Sequence, residues 1–311
     1  MDDNEILGWL LAGDVSIQYQ AHRDLLSRER PDLRQRIERE GWGSRLLAER
    51  KADGHWGRGF YQPKWISTHY TLLDLKHLGI SPDNEPIRES VALILEREKG
   101  EDGGVNPAGT IKESDVCVNG MFLNYACYFG AEEAQLHSIV DFILSQRLPD
   151  GGFNCRFNRG GARHSSLHST LSILEGLLEY RLNGYTYRLP ELEAAAVGAR
   201  EFILIHRLYL SDRTGEVINP AFLRLPYPSR WKYDILRALD YFRSAGCSRD
   251  ERMRPAVEVL LKKRRKDGAW PLQAKHPGQV HFDMEQAGQP SRWNTLRALR
   301  VLGCFNALPD I

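Results

Sequence analysis

No apolar run in this 311-residue chain approaches the roughly 18 residues that a membrane span requires. No charge of one sign dominates: 42 Lys and Arg stand against 41 Asp and Glu, a formal net charge of +1. Without a basic face, nucleic acid is not an expected partner. Cysteine is sparse. The five residues Cys117, Cys127, Cys155, Cys247 and Cys304 are odd in number and share no Cys-x-x-Cys spacing. That pattern argues against a disulfide framework and predicts free thiols in a reducing cytoplasm. The opening residues, MDDNEILGWLLAGD, are acidic around a short apolar stretch, so no secretory signal is expected. Low-complexity segments and interdomain linkers are missing too. A hydrophobic content of 42% is enough for one large core or two small ones, and one domain over residues 1–311 is the economical expectation.

What the chain does have is internal repetition. A helical apolar pattern runs into a charged stretch, then Asp-Gly, then an aromatic or aliphatic residue. Four segments read this way: LLAERKADGHW at 46–56, LILEREKGEDGGV at 93–105, FILSQRLPDGGF at 142–153 and VLLKKRRKDGAW at 259–270. FILIHRLYLSDRTGEV at 202–217 is a looser copy with a longer turn. The glycines at 54, 103, 151, 215 and 268 recur about every fifty residues, the range of helical-pair arrays.

A second helix is predicted after each turn, at 67–79, 114–130, 165–180, 229–246 and 291–303. Each of these segments opens on Ser, a good N-cap, and several close on Gly. Their apolar residues, such as Leu171, Ile173, Leu174, Leu177 and Leu178, fall on more than one face, as in buried helices. The first helix of each pair is charged on one side, as at Lys262–Arg265. The pattern predicts an outer solvent-facing ring and an inner buried ring, because one pair cannot bury its apolar face alone. One more outer helix is expected over Ser16–Leu26, among N-terminal helices at 1–40. The repeats then span about 41–303, with Pro-rich connectors at 81–86 and 226–228.

These residues resemble a known superfamily. FILSQRLPDGGF, with Gln146 ahead of the glycine and an aromatic after it, looks like the repeat of squalene and oxidosqualene cyclases, and KADGHW and KDGAW are similar. The glycine turn followed by a capped inner helix is also the repeat of protein prenyltransferase β-subunits. Over about residues 40–303 the resemblance implies an all-α fold, an α/α toroid whose cavity is lined by the N-terminal ends of inner helices. The cyclase acid motif DxDD and the diphosphate-ionising DDxxD are both absent. Prenyltransferase β-subunits carry Lys-x-x-Asp-x-Cys entering one inner helix and a His opening the next. Lys112, Asp115 and Cys117 match the first part, and His168 in LHSTLSILEGL resembles the second. In that family the Asp, Cys and His bind zinc, which holds a thiol substrate as thiolate. The resemblance therefore implies zinc at Asp115, Cys117 and His168, and no other cofactor. That family also works with a separate helical subunit; this sequence names no protein partner.

Read as residues alone, the same positions keep a plainer meaning. Asp115 serves as a helix cap, Cys117 as a small buried filler and His168 as a core histidine. His164 and His168 stand at i, i+4 and share a face if helix runs through Arg163; with Cys155 they make a second candidate metal or acid–base cluster. Trp65, Trp231, Tyr233 and Trp293 sit at inner-helix starts, where they wall a hydrophobic pocket or pack neighbouring repeats, whereas Trp56 and Trp270 read as packing. Arg230 and Arg292 recur as Ser-Arg-Trp. An arginine at a helix N-terminus opposes the dipole unless an anion or an acid such as Asp234 or Glu285 is close.

The leading expectation is an enzyme acting on a small hydrophobic or isoprenoid ligand in the central cavity. Its chemistry falls to Asp115, Cys117, His164 and His168. Its binding falls to Trp65, Lys112, Arg230, Trp231, Tyr233, Glu285, Arg292 and Trp293. The alternatives are a non-catalytic binding or scaffold toroid and a sugar-active α/α-barrel enzyme using Asp234 and Glu285.

Overall fold

The computed structural model describes residues 3–107 and 110–306. The chain is mostly helical, in keeping with the all-α expectation. Helices α1 (Asp3–Leu11), α2 (Val15–Leu25), α3 (Pro31–Arg36) and α4 (Gly41–Ala48) precede the first glycine turn. The repeats follow as α5 (Thr68–Leu78), α6 (Glu85–Arg97), α7 (Val116–Tyr128), α8 (Glu133–Ser145), the single turn α9 (Phe157–Gly160), α10 (Leu167–Leu182) and α11 (Leu189–Ile205). Then come α12 (Ile235–Ser244), α13 (Arg254–Lys262) and α14 (Arg292–Cys304). Two short strands, β1 (Trp270–Pro271) and β2 (Pro290–Ser291), pair antiparallel with Trp270 opposite Ser291. Backbone contacts divide the chain into two compact units. The first is Met1–Ala48, His77–Ser81 and Leu204–Ile311; the second is Glu49–Lys76 and Pro82–Ile203.

The glycine turns have one geometry, and backbone bonds set it. The Lys51 N–H donates to the His55 carbonyl at 2.9 Å, and the Gly54 N–H returns to the Lys51 carbonyl at 3.0 Å. The same two bonds tie Gly100, Gly103 and Gly104, then Leu148, Gly151 and Gly152, then Arg265, Gly268 and Ala269. This turn needs a left-handed residue, and φ is +84° at Gly54, +87° at Gly103, +92° at Gly151 and +83° at Gly268. In three of the turns the aspartate before the glycine also bonds locally: Asp53 accepts from the His55 N–H, Asp102 from Gly104 and Asp267 from Ala269.

The residue after each turn is then locked to the second helix by a side chain. The Trp56 N–H donates to Thr68 Oγ1 (3.0 Å), Val105 to Asn119 Oδ1 (2.7 Å), Phe153 to Thr170 Oγ1 (3.0 Å) and Trp270 to Thr295 Oγ1 (2.9 Å). All four locked residues are fully buried, so each N–H needs this acceptor. The fourth residue of α12 is Ala238, which has no acceptor to offer, and Val217 in the looser copy is 40% exposed. The looseness read in the sequence therefore has a physical counterpart.

One expected serine cap is in place, and three others are not. Helix α14 is capped by Ser291, whose Oγ accepts the Asn294 N–H at 2.9 Å. Helix α12 starts six residues after Ser229, and Asp234 caps it instead, accepting the Arg237 N–H at 2.8 Å. Ser114 and Ser165 serve the preceding turns: each gives its N–H to a turn aspartate, Asp102 or Asp150, at 2.7 and 2.8 Å.

Burial differs between neighbouring helices within each unit. In the second unit, every residue of α7 from Val118 to Cys127 is buried, and α10 is nearly as complete. These two helices touch backbone to backbone through Gly120 and Gly176: a Cβ on Gly120 would lie 2.6 Å from the Ser172 carbonyl oxygen. The neighbouring α8 buries one face, Leu136, Ile139, Val140, Phe142 and Ile143. In the first unit α13 buries only Ala256, Val257 and Leu260, against seven residues of α12. Leu171, Leu174, Leu177, Leu236, Leu239 and Leu296 are buried as expected of inner helices. Leu299 is half-buried instead, in the wall of a groove of about 490 Å³ with Ile6, Leu7, Leu25 and Arg300.

Candidate functional site

The expected binding residues of the first unit are largely structural. Tyr233 is buried at 2% exposure, donates its O–H to the Leu208 carbonyl at 2.6 Å and meets Phe222 edge-on. Trp293 packs between Trp42 and Tyr227, with ring centroids 6.3 and 4.8 Å away. Glu285 accepts the Ser291 hydroxyl and the Trp293 N–H. Burial raises its carboxyl above the usual range, and those bonds partly offset this. Arg292 lies across the Trp9 ring at 4.5 Å and donates to the Trp9 carbonyl at 2.9 Å, with Glu285 close enough to balance it. The conflict of an arginine with the helix dipole is thus settled by an internal acid. Arg230 is not at a helix start: it sits in a turn at φ +58°, five residues before α12, and is 6% exposed. Trp231 is half-buried with the Lys232 ammonium over its ring. Asp234 and Glu285, the pair a sugar-active enzyme would use, both serve helix starts, α12 and α14 respectively.

His164 and His168 do not share a helical face. Helix α10 begins at Leu167, and His164 is exposed in the loop before it, its carbonyl accepting from Asn154 Nδ2 at 2.8 Å. The cause is Ser165, whose N–H and hydroxyl both go to Asp150 and hold that stretch out of helix. Lys112 is exposed in the loop before α7.

Asp115, Cys117 and His168 do not assemble as a ligand set. Among the described residues no three His, Cys, Asp or Glu side chains stand close enough to hold a metal ion. Asp115 is the residue before α7 but makes no side-chain capping bond, and His168 is the half-buried second residue of α10. Cys117 turns instead to Cys155. The Cys117 N–H, one of the free donors at the start of α7, points at Cys155 Sγ from 3.0 Å. Ser169 completes the arrangement: its Oγ accepts the Cys155 N–H at 3.1 Å and donates back to Cys155 Sγ at 3.3 Å. The thiol hydrogen bond from Cys117, with those from Ser169 and the Cys117 N–H, holds the Cys155 thiol below its ordinary pKa. Donating to that sulfur, and burial, push Cys117 well up. Of the two thiols, Cys155 is therefore the one that ionises more readily. Both are half-buried.

An aromatic group accompanies the thiols in the second unit. Tyr61 lies near Cys117, Asp115 and Cys155; burial first, then these neighbours, raise its pKa and keep its O–H protonated. The Tyr61 and Tyr70 hydroxyls are 3.0 Å apart, and Trp65 meets Tyr70 edge-on at 4.8 Å. His69 is fully buried among Phe60, Tyr61, Tyr70 and Tyr125, its Nδ1 3.1 Å from the Tyr125 hydroxyl. Its Nε2 is buried with no hydrogen-bond partner, and burial lowers its pKa to about 3, so the ring is neutral.

Sequence reasoning placed Cys117, Cys155 and Trp65 in candidate clusters but missed Tyr61, His69, Tyr70, Tyr125 and Ser169. The available signal was density: GFYQPKWISTHY packs three kinds of aromatic ring and a histidine into residues 59–70, straight after a glycine turn. No family model matches the chain, and no curated protein does.

Proposed function

We propose that this chain is an enzyme of the isoprenoid-handling kind, its helix pairs arranged as an α/α toroid. It takes a small hydrophobic or prenyl substrate against the aromatic wall of the second unit. One observation carries the reading: a half-buried thiol pair at the start of α7 lies beside Tyr61 in a group that continues through Tyr70 to Trp65. Aromatic faces suit an allylic chain and any cationic character it develops. Cys155 and the Tyr61 hydroxyl are the polar groups offered there. Zinc is not part of this reading, because Asp115, Cys117 and His168 do not fit it. The sugar-active alternative loses its acid pair to helix starts.

The test is a thermal shift with farnesyl and geranylgeranyl diphosphate, and in parallel with oligosaccharides. A ligand at a hundred times its Kd stabilises by about 2.7 kcal/mol. The prenyl compounds raise Tm, and Tyr61→Ala, at a half-exposed position, removes the shift. Silence with every prenyl compound, or a shift indifferent to Tyr61→Ala, overturns the proposal. A shift without turnover of any prenyl substrate makes the chain a binding module instead.

A further inference from the structure

We infer that Cys117 and Cys155 are a redox pair that closes into one intramolecular disulfide by exchange with a small disulfide of the glutathione class. The inference goes beyond the isoprenoid reading and rests on the geometry of the pair.

The position of Cys155 Sγ is set by neighbours on two helices. Helix α7 supplies the Cys117 N–H at 3.0 Å, and α10 supplies the Ser169 hydroxyl at 3.3 Å. The Cys155 backbone is pinned as well, its N–H on Ser169 Oγ at 3.1 Å. An N–Cα bond of about 1.46 Å puts the Cys117 Cα within about 4.5 Å of Cys155 Sγ. A disulfide asks for Cα atoms about 4.4–6.8 Å apart, and a Cα this near the opposite sulfur is compatible with that spacing. The thiols already share a hydrogen bond. Exposure separates this pair from Cys127, which is 1% exposed; Cys117 and Cys155 are both half-buried and within reach of a small reagent.

The roles are unequal. The donors around Cys155 favour its thiolate, so it attacks first: its sulfur bonds to one sulfur of the reagent RSSR, the S–S bond breaks, and RS⁻ leaves. Cys117 then gives up its proton, and its sulfur attacks Cys155 in the mixed disulfide and expels the second RS⁻. The protons of the two cysteines end on two RSH. The pair is oxidised by two electrons and one RSSR is reduced.

The reduced full-length chain, carrying Cys247→Ser and Cys304→Ser to silence the remaining accessible thiols, is incubated with glutathione disulfide, alkylated and digested without reductant. Mass spectrometry should find the chain lighter by two hydrogens and one cross-linked peptide pair joining Cys117 to Cys155. Cys117→Ser should stop at a glutathione adduct on Cys155. Cys155→Ser should show neither a link nor an adduct on Cys117. The wild-type cross-link is read without any variant of the pair, so a misfolded variant does not decide the matter. Free thiols at both positions after exposure overturn the inference, as does adduct formation on Cys117 in Cys155→Ser at the rate seen on Cys155 in Cys117→Ser. No prenyl ligand is present, so failure here is distinct from failure of the isoprenoid reading.

Discussion

Replacing Thr170 by valine keeps the volume of the side chain and removes one hydroxyl. That hydroxyl accepts the Phe153 N–H at 3.0 Å and donates back to the Phe153 carbonyl at 3.3 Å, at a residue with no exposed surface. No water reaches the freed amide, so the loss is the desolvation of an unpaired N–H rather than the small net value of an average hydrogen bond. That is about 1–3 kcal/mol. Thr170→Ser retains the hydroxyl and loses one buried methyl, which costs about 0.5–1.5 kcal/mol by analogy with Ile→Val. Urea unfolding followed by far-ultraviolet circular dichroism measures both variants, with the midpoint read at unchanged m. The lock is refuted if Thr170→Val lies within about 0.5 kcal/mol of wild type, the ordinary range for an inconsequential site. It is equally refuted if Thr170→Ser is the more damaging change.

Gly176→Ala should destabilise by about 1–3 kcal/mol in the same assay, because the added methyl meets the Gly120 backbone where α7 and α10 touch. Asp240 accepts from Arg243 and Arg300 and lies 3.4 Å from Arg297, which together hold its carboxyl well below the usual range against burial. Asp240→Asn removes the carboxylate that Arg243, Arg297 and Arg300 share, with Asp24 still paired to Arg300 at 2.7 Å, and should cost about 3–5 kcal/mol. His69 binds a proton in the unfolded chain below about pH 6.5 but in the folded chain only near 3, so its contribution is intact above 6.5 and lost as pH falls toward 3, about 5 kcal/mol in all. Urea midpoints of wild type and His69→Gln should therefore converge as pH drops through that window, and parallel curves would contradict the burial argument.

The repeats were legible because their turn chemistry is local: Asp-Gly, a positive φ and a buried residue next in line lie within a few positions of one another. Helix positions followed from the same spacing, and α5, α7, α10 and α14 start within three residues of the expected places. Helix α12 does not, because Ser229 and Asp234 compete for the cap and the carboxylate, with a second oxygen left for Ser229 Oγ at 3.1 Å, prevails. The two serines that open α7 and α10 in the sequence pattern look like caps, yet bond to the aspartate of the preceding turn, a partner 12 or 15 residues away. The site was harder. Cys155 follows one glycine turn and Cys117 opens the helix after another, 38 residues apart, and no spacing rule joins them. The zinc expectation took its partners from a motif and so passed over the thiol that α7 faces.

The lock also explains why chemistry gathers where it does. It fixes the register between each turn and the second helix at Thr68, Asn119, Thr170 and Thr295, so those positions have little freedom to vary. Two residues earlier in each helix segment stand Ile66, Cys117, His168 and Trp293, four unlike side chains held at one register. Two residues after a locked amide stands Cys155, and its own N–H is held by Ser169, the neighbour of Thr170. The hydroxyls of Ser169 and Thr170 therefore clamp adjacent parts of one strand of chain, one for stability and one for the thiol. Thr170→Val should loosen both. At a temperature where the variant is still folded, its Cys117–Cys155 disulfide should form more slowly than in wild type, while iodoacetamide alkylation of the exposed Cys304 proceeds at an unchanged rate. Equal rates of disulfide closure would mean that Ser169 alone positions the sulfur and that the lock is purely structural.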